Sequence, residues 1–294
     1  MKIILAKGSG YCFGVRDAVQ SAYDMSEKYG EVYMLGDIVH NESVVNDLEE
    51  KGVKVVEKLD QIPKDKPVLF RAHGTAKSVW KEAEDKKMNI IDATCPLVHE
   101  IHRDVKELEA DGRKIIIIGD HGHDEVIGIA SQVKNAVVIS NIEEAEAFRK
   151  TKKAGIVSQS TQTIENVQEI INILMTKVFD MRFVNTICFP TKRNQEQIKE
   201  LSKITDLMII IGSFTSANSK RLTELSLERN KNTHQVTNAT EIDSKWFTND
   251  LTSVGISAGA STPDWIIESV IKKIREITKT YEEEIIYDKR HFQS

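Results

Sequence analysis

Three cysteines, Cys12, Cys95 and Cys188, are the side chains of this 294-residue chain best suited to chemistry. Each follows a short β-rich run and precedes a helical pattern. Ile3, Ile4 and Leu5 lead to Cys12, Ile90 and Ile91 to Cys95, and Phe183 and Val184 to Cys188. A step of 28 residues from each cysteine reaches His40, His123 and Ser216, again at the ends of strand-like runs. A third set of polar tips follows at His73, Ser160 and Ser261. Three equal intervals that all land on strand ends point to a threefold internal repeat.

Three thiols with no fourth suit a four-iron cluster that leaves one iron open to a substrate, whereas most electron-transfer clusters are held by four cysteines. The rival is a Cys₃His zinc site completed by His40, His73 or His123, although the close ligand spacing of structural zinc is absent. A cysteine nucleophile with a histidine base leaves two thiols unexplained. For any single cysteine the bland reading is a buried small residue. An odd, small number of widely spaced cysteines does not make a disulfide framework.

Imidazole N–H groups, hydroxyls and helix N-termini are what an anionic phosphate needs. His40, His73, His123, Ser216, Asn218 and Ser261 sit at such strand-to-helix turns. Nearby glycines, Gly212, Gly255 and Gly259 among them, allow close backbone approach. Glu125, two residues after His123, is the best acid–base candidate. Its alternative reading is an acid that simply opens a helix. His99, His102, His234 and His291 read as surface or satisfied side chains. Neither GxxxxGK[ST] nor GxGxxG occurs, so nucleotide binding has no support.

The elements that must position these groups alternate short β-rich runs with amphipathic helical patterns, which signals α/β with small, mostly parallel sheets. Strands are expected at 2–6, 31–35, 67–71, 89–92, 114–118, 154–158, 182–187, 206–211 and 253–257, among others. The expected architecture is three similar α/β lobes in pseudo-threefold arrangement around a central cluster site. Lobe 1 is 13–95, lobe 2 is 96–187, and lobe 3 combines 1–12 with 188–280; 281–294 is a tail. In open α/β sheets ligands bind beyond the carboxyl ends of the strands, where all these tips lie. A net charge of −5 argues against a nucleic-acid partner, which needs a basic stripe. No apolar stretch approaches the roughly 18 residues of a membrane span. The apolar part of MKIILAKGSG is too short for a signal peptide, so a cytoplasmic location is expected.

The motifs resemble those of the 4-hydroxy-3-methylbut-2-enyl diphosphate reductases, iron–sulfur enzymes that end the methylerythritol phosphate route to isoprenoids. The stretches that carry the resemblance are GYCFGV at 10–15, VHN at 39–41, RAHG at 71–74, DATCPLV at 92–98 and GHDEV at 122–126. SQST at 158–161, NTIC at 185–188, SANS at 216–219 and SAGASTPDW at 257–265 continue it in family order. The resemblance implies a [4Fe–4S] cluster on Cys12, Cys95 and Cys188 with one open iron. It implies that His40, His73, His123, Ser216, Asn218 and Ser261 hold a diphosphate and that Glu125 supplies a proton. Ser160 or Thr161 would help to deliver that proton and orient the alcohol, and His123 could relay it. The implied reaction is reductive dehydroxylation to isopentenyl and dimethylallyl diphosphate, with a ferredoxin- or flavodoxin-type electron donor. The chain departs from the family at Ala217, where a second serine is usual, and at Asp124, where a proline is usual. A non-catalytic redox sensor or phosphometabolite binder is the alternative reading.

Overall fold

The computed structural model describes residues 1–279 and 285–287. Within them the repeat reappears as strand order. The chain opens with β1 (Lys2–Ala6), which joins the third sheet. Next, β2 (Val32–Leu35), β3 (Val53–Val56), β4 (Pro67–Phe70) and β5 (Asn89–Asp92) make a first sheet in the order β3-β2-β4-β5. A second holds β6 (Lys114–Ile118), β7 (Ala136–Ile139), β8 (Thr151–Ser158) and β9 (Val178–Phe183) in the order β7-β6-β8-β9. The third is built from β10 (Leu207–Ile211), β11 (Thr233–Val236) and β12 (Ser253–Ala258), ordered β11-β10-β12-β1-β13, where β13 is Ile285–Tyr287. Every ladder among the described residues is parallel. With β1 taken as the fourth strand of the third sheet, all three sheets share one order: second, first, third, fourth.

Parallel neighbours need crossover connections. Within the sheets these include α2 (Glu42–Glu50), α3 (Lys77–Asp85), α5 (Asp124–Ala130), α6 (Ile142–Ala147), α7 (Ile164–Met175), α9 (Ala217–Leu227) and α10 (Asp264–Thr278), while α1 (Phe13–Tyr29), α4 (Pro96–Ala110) and α8 (Phe189–Ile204) lead from one sheet to the next. Their starts follow local chemistry: Pro96 occupies the first turn of α4, and Asn141 and Thr163 accept N–H bonds as caps of α6 and α7.

Strands covered on both sides read as unbroken apolar runs. In β6, Ile116 and Ile118 pack with Val167, Ile170 and Leu174 of α7. Ile115 and Ile117 face the other way, onto Ile101, Val105 and Leu108 of α4 and Val126 and Ile129 of α5. The third sheet repeats this: Leu207, Ile209 and Ile211 pack with α10, and Met208 and Ile210 with α8 and α9. Each such side chain, once buried, contributes about 1.5–3 kcal/mol, so these central strands are firm supports for their tips.

The fourth strand of the second sheet lies at Val178–Phe183, four residues earlier than the 182–187 expected from sequence. Its register runs from Thr151↔Val178 to Ile156↔Phe183. The chain then leaves the ladder, because the Thr186 hydroxyl accepts from Ser158 N at 2.7 Å and donates to Ser158 O at 2.5 Å. NTIC is therefore a tethered loop. The first two sheets share one compact unit, 14–39 with 45–188; 1–13, 40–44 and 189 onward form the other. Of the expected tail, 281–294, only Ile285–Tyr287 lies among the described residues, beside β1. No helix among the described residues is long and apolar enough to cross a membrane.

Candidate active site

The three cysteines occupy equivalent places. Each follows a fourth strand: Cys12 after β1, Cys95 after β5, Cys188 after β9. Each backbone N–H donates to a carbonyl of the loop after the neighbouring third strand: Cys12 to Ala260 O (3.3 Å), Cys95 to Ala72 O (3.0 Å), and Cys188 to Ser160 O (3.0 Å). Each acceptor immediately precedes a polar tip, namely Ser261, His73 and Thr161. Thr161, rather than Ser160, is thus the counterpart of His73 and Ser261. The residues that lie 28 beyond each cysteine also match: His40, His123 and Ser216 each stand five residues past a first strand, β2, β6 or β10.

In the larger unit, His123 caps α5, its Nδ1 accepting from Glu125 N at 3.1 Å. Glu125 is 1% exposed, and both its oxygens are engaged by one residue. Ser160 N donates to Oε1 at 2.6 Å and Ser160 Oγ to Oε2 at 2.8 Å. Buried Gln159 accepts from Asp120 N (2.9 Å) and donates to Thr161 Oγ1 (3.0 Å), which sets the rotamer of that threonine. The His73 and His123 rings meet edge to face, with centroids 5.7 Å apart. Arg71 Nη1 donates to Asp124 Oδ2, tying the RAHG loop to α5. His102, expected to be a surface or satisfied residue, is instead 8% exposed and wedged under that joint. An added Cβ on Gly74 or Gly128 would lie 3.5 or 3.6 Å from its Nε2. That nitrogen is buried without a hydrogen-bond partner among the described residues. Burial first, then repulsion from His99 and Lys106, pushes the His102 imidazole down to about 4, so the ring is neutral.

In the smaller unit, the Asn41 amide donates to Ser261 O (2.9 Å) and Ser261 Oγ donates to His40 O (3.1 Å), so two tips are sewn together. Asn41 Oδ1 also accepts from Val44 N at 3.2 Å, capping α2. Ser216 caps α9 by accepting from Ser219 N at 3.3 Å. Asn218 Nδ2 and Ser219 Oγ are buried with no hydrogen-bond partner among the described residues. Any Cβ on Gly212 or Gly259 would fall 2.3 or 2.2 Å from Ser219 Oγ, so both positions need glycine. Ser213 Oγ and Thr215 Oγ1 donate to Glu42 Oε1 at 2.7 and 3.2 Å. Burial raises the Glu42 carboxyl, but the Ser213 hydroxyl leads a set of donors that holds it below the usual range.

The donor set is thiol-rich. None of the three cysteines is in a disulfide, and all are part-exposed. An alanine Cβ at Gly14 would stand 2.3 Å from Cys95 Sγ, so α1 is shaped around that sulfur. Among the described residues no three His, Cys, Asp or Glu side chains gather at a single-ion site. Part-exposed thiols outside any disulfide are the donor type that a thiolate-held cluster needs.

Together these features define an α/β protein of three like-ordered parallel sheets, with thiols on the fourth strands and imidazoles or hydroxyls on the first and third. The chain belongs to the LytB protein family, whose pattern matches residues 3–275. A 4-hydroxy-3-methylbut-2-enyl diphosphate reductase of Geobacter metallireducens is 43% identical over 278 residues, spanning 94% of this chain and 98% of that protein. The E-1-hydroxy-2-methyl-but-2-enyl-4-diphosphate reductase structure from Plasmodium falciparum aligns with TM-score 0.89 at 26% identity, over 93% of this chain and 88% of that one. A second solved structure, (E)-4-hydroxy-3-methyl-but-2-enyl diphosphate reductase, the terminal enzyme of the non-mevalonate pathway, gives TM-score 0.70 at 37% identity, over 94% and 100%.

Sequence reasoning singled out the cysteines, Glu125 and the strand-tip histidines and serines. It missed Gln159, Asn41, Thr186 and the Arg71–Asp124 pair. Only the invitation to look at polar residues inside motifs could have found the first three.

Proposed function

We propose that this chain is a 4-hydroxy-3-methylbut-2-enyl diphosphate reductase. The substrate, two electrons and two protons give isopentenyl or dimethylallyl diphosphate and one water. Cys12, Cys95 and Cys188 hold a [4Fe–4S] cluster with one open iron. When bound, that group supplies the electrons and a Lewis acid for the departing hydroxyl.

The observation that carries the reading is the placement of all three thiols at the ends of equivalent strands, each tied through its N–H to a loop that bears an anion-binding side chain. His40, His73, His123, Ser216, Asn218 and Ser261 bind the diphosphate; the Asn218 amide is a buried donor suited to an anion. Ala217 brings no hydroxyl to that cradle. Glu125 is the proton source. In the carboxylate form Ser160 Oγ donates to Oε2; once protonated, Oε2–H donates to Ser160 Oγ, which passes a proton onward while Thr161, oriented by Gln159, steadies the alcohol. An acidic ferredoxin- or flavodoxin-type protein delivers the electrons. A reducing cytoplasm suits thiols kept out of disulfides.

Oxygen-free purification followed by iron and sulfide analysis, and assay with the hydroxylated C5 diphosphate and a low-potential reductant, tests this directly. Glu125→Gln is expected to lower turnover by about 10²–10⁴-fold while diphosphate binding persists. Zinc in place of iron and sulfide, or full turnover in that variant, would overturn the assignment.

A further inference from the structure

One turn beyond Cys95, α4 turns a cationic face outward. His99 N donates to Cys95 O at 3.1 Å, and His99, Arg103 and Lys106 then follow at helical spacing. With Lys77 and Trp80 of α3 they line an open cleft of about 330 Å³, completed by Gln132 and the edge of His102. No carboxylate is among its lining residues, although the chain as a whole carries a net charge of −5. Lys77 and Lys106 have no ion-pair partner among the described residues, and Arg103 reaches Glu100 only at 3.8 Å. His99 is held more closely, to Asp92 at 2.9 Å.

The cleft is also stiff. Trp80 meets Phe70 edge on, with centroids 4.8 Å apart, and the Gln132 amide donates to Gly128 O at 3.1 Å. A fixed aromatic among solvated cations is the anatomy of a protein-docking face, where charge sets encounter and the ring supplies contact area. Its place matters as much as its charge. Measured along α4 at 1.5 Å per residue, the face runs from about 6 to about 17 Å from Cys95.

We infer that this α3–α4 face is where an acidic one-electron carrier protein docks to reduce the centre held by Cys95. The inference rests on the reductase reading above. Docking itself makes and breaks no covalent bond: the reduced carrier loses one electron, the centre gains it, and two visits supply the pair that one turnover consumes. A second lysine-rich stretch, Arg149, Lys150 and Lys152, lies at the opposite, N-terminal end of β8, away from the thiols, and serves as a control.

Calorimetry of the oxygen-free holoenzyme with an acidic plant-type [2Fe–2S] ferredoxin, oxidised so that no turnover occurs, is the test. Lys77→Glu, Arg103→Glu and Lys106→Glu together should raise Kd at least about ten-fold; Arg149→Glu, Lys150→Glu and Lys152→Glu, with the same charge change, should alter it less than about two-fold. A three-glutamine version of the first variant, with unchanged melting, guards against misfolding and should show an intermediate loss. Affinity should fall steeply between 50 and 200 mM salt, on the order of the Debye screening expected for exposed charges. Turnover driven by reduced methyl viologen should be unchanged in both variants. Equal ferredoxin affinity in the two variants, loss confined to the control, or salt-independent binding would overturn the docking face. Absence of viologen-driven turnover in the unmodified protein would instead overturn the reductase reading.

Discussion

Glu125 shows how one residue can be both hidden and usable. Its carboxyl is buried, yet Ser160 gives each oxygen a donor, which is what a buried polar group requires, and on the proposed assignment that same hydroxyl passes the proton onward. His102 represents the opposite solution: a buried imidazole kept neutral. Its pKa lies near 4 in the fold and near the ordinary 6.5 when unfolded, so from pH 6.5 down to 4 the unfolded chain takes up a proton that the folded chain refuses. Stability is therefore expected to fall with pH across that window, by at most about 3 kcal/mol. Urea melts at pH 7 and pH 4.5 check this, and His102→Gln should remove most of the difference. Gly14 is the third case. With its Cβ 2.3 Å from Cys95 Sγ, Gly14→Ala must displace the thiol, at a cost of about 1–3 kcal/mol. Iron per chain should drop sharply; a variant that loads iron normally would show that α1 yields instead.

At the scale of elements, the strand tips are fastened to one another by side chains the strands themselves do not use. Arg71 and Asp124, 53 positions apart, join the loop carrying His73 to the helix carrying Glu125. Both partners are about a quarter exposed, between the surface and buried regimes, so a double-mutant cycle with Arg71→Ala and Asp124→Asn should return a coupling of about 1–2 kcal/mol. On the proposed assignment the same variants should raise KM for the diphosphate more than they lower kcat, because the loop carrying His73 moves while Glu125 stays with Ser160. A coupling near zero would mean the loop is held by packing on His102 alone. The Thr186 clamp on Ser158 works likewise, and explains why Val184 and the NTIC stretch after it form a loop although their composition reads as a strand.

Across the whole molecule, one strand order used three times places thiols, then imidazoles and hydroxyls, on matching ends. The third sheet is complete only because the first residues of the chain enter it between β12 and β13. Deleting residues 1–6 removes Ile3, Ile4 and Ala6 from the core together with two ladders. Since burying each large aliphatic side chain is worth about 1.5–3 kcal/mol against a total of about 5–15, and two strand ladders go with them, the smaller unit should fail to fold. Limited proteolysis should then cut readily within 189–279 and spare 45–188; resistance throughout would contradict the sheet order.

The sequence by itself determined what is periodic or local. The 28-residue steps, the alternation of strand and helix, the strand-to-helix turns at Ser216 and His123, and the identity of the chemical side chains are written in adjacent residues, and parallel α/β topology then puts every tip on the carboxyl side. Only the tertiary structure decided which distant groups meet. That Ser160 meets both oxygens of the Glu125 carboxyl, that Thr161 is the counterpart of His73, that Arg71 finds Asp124, and that His102 is sealed under two glycines depend on packing between elements. No residue spacing encodes such contacts, because burial and hydrogen-bond satisfaction are settled by the fold as a whole.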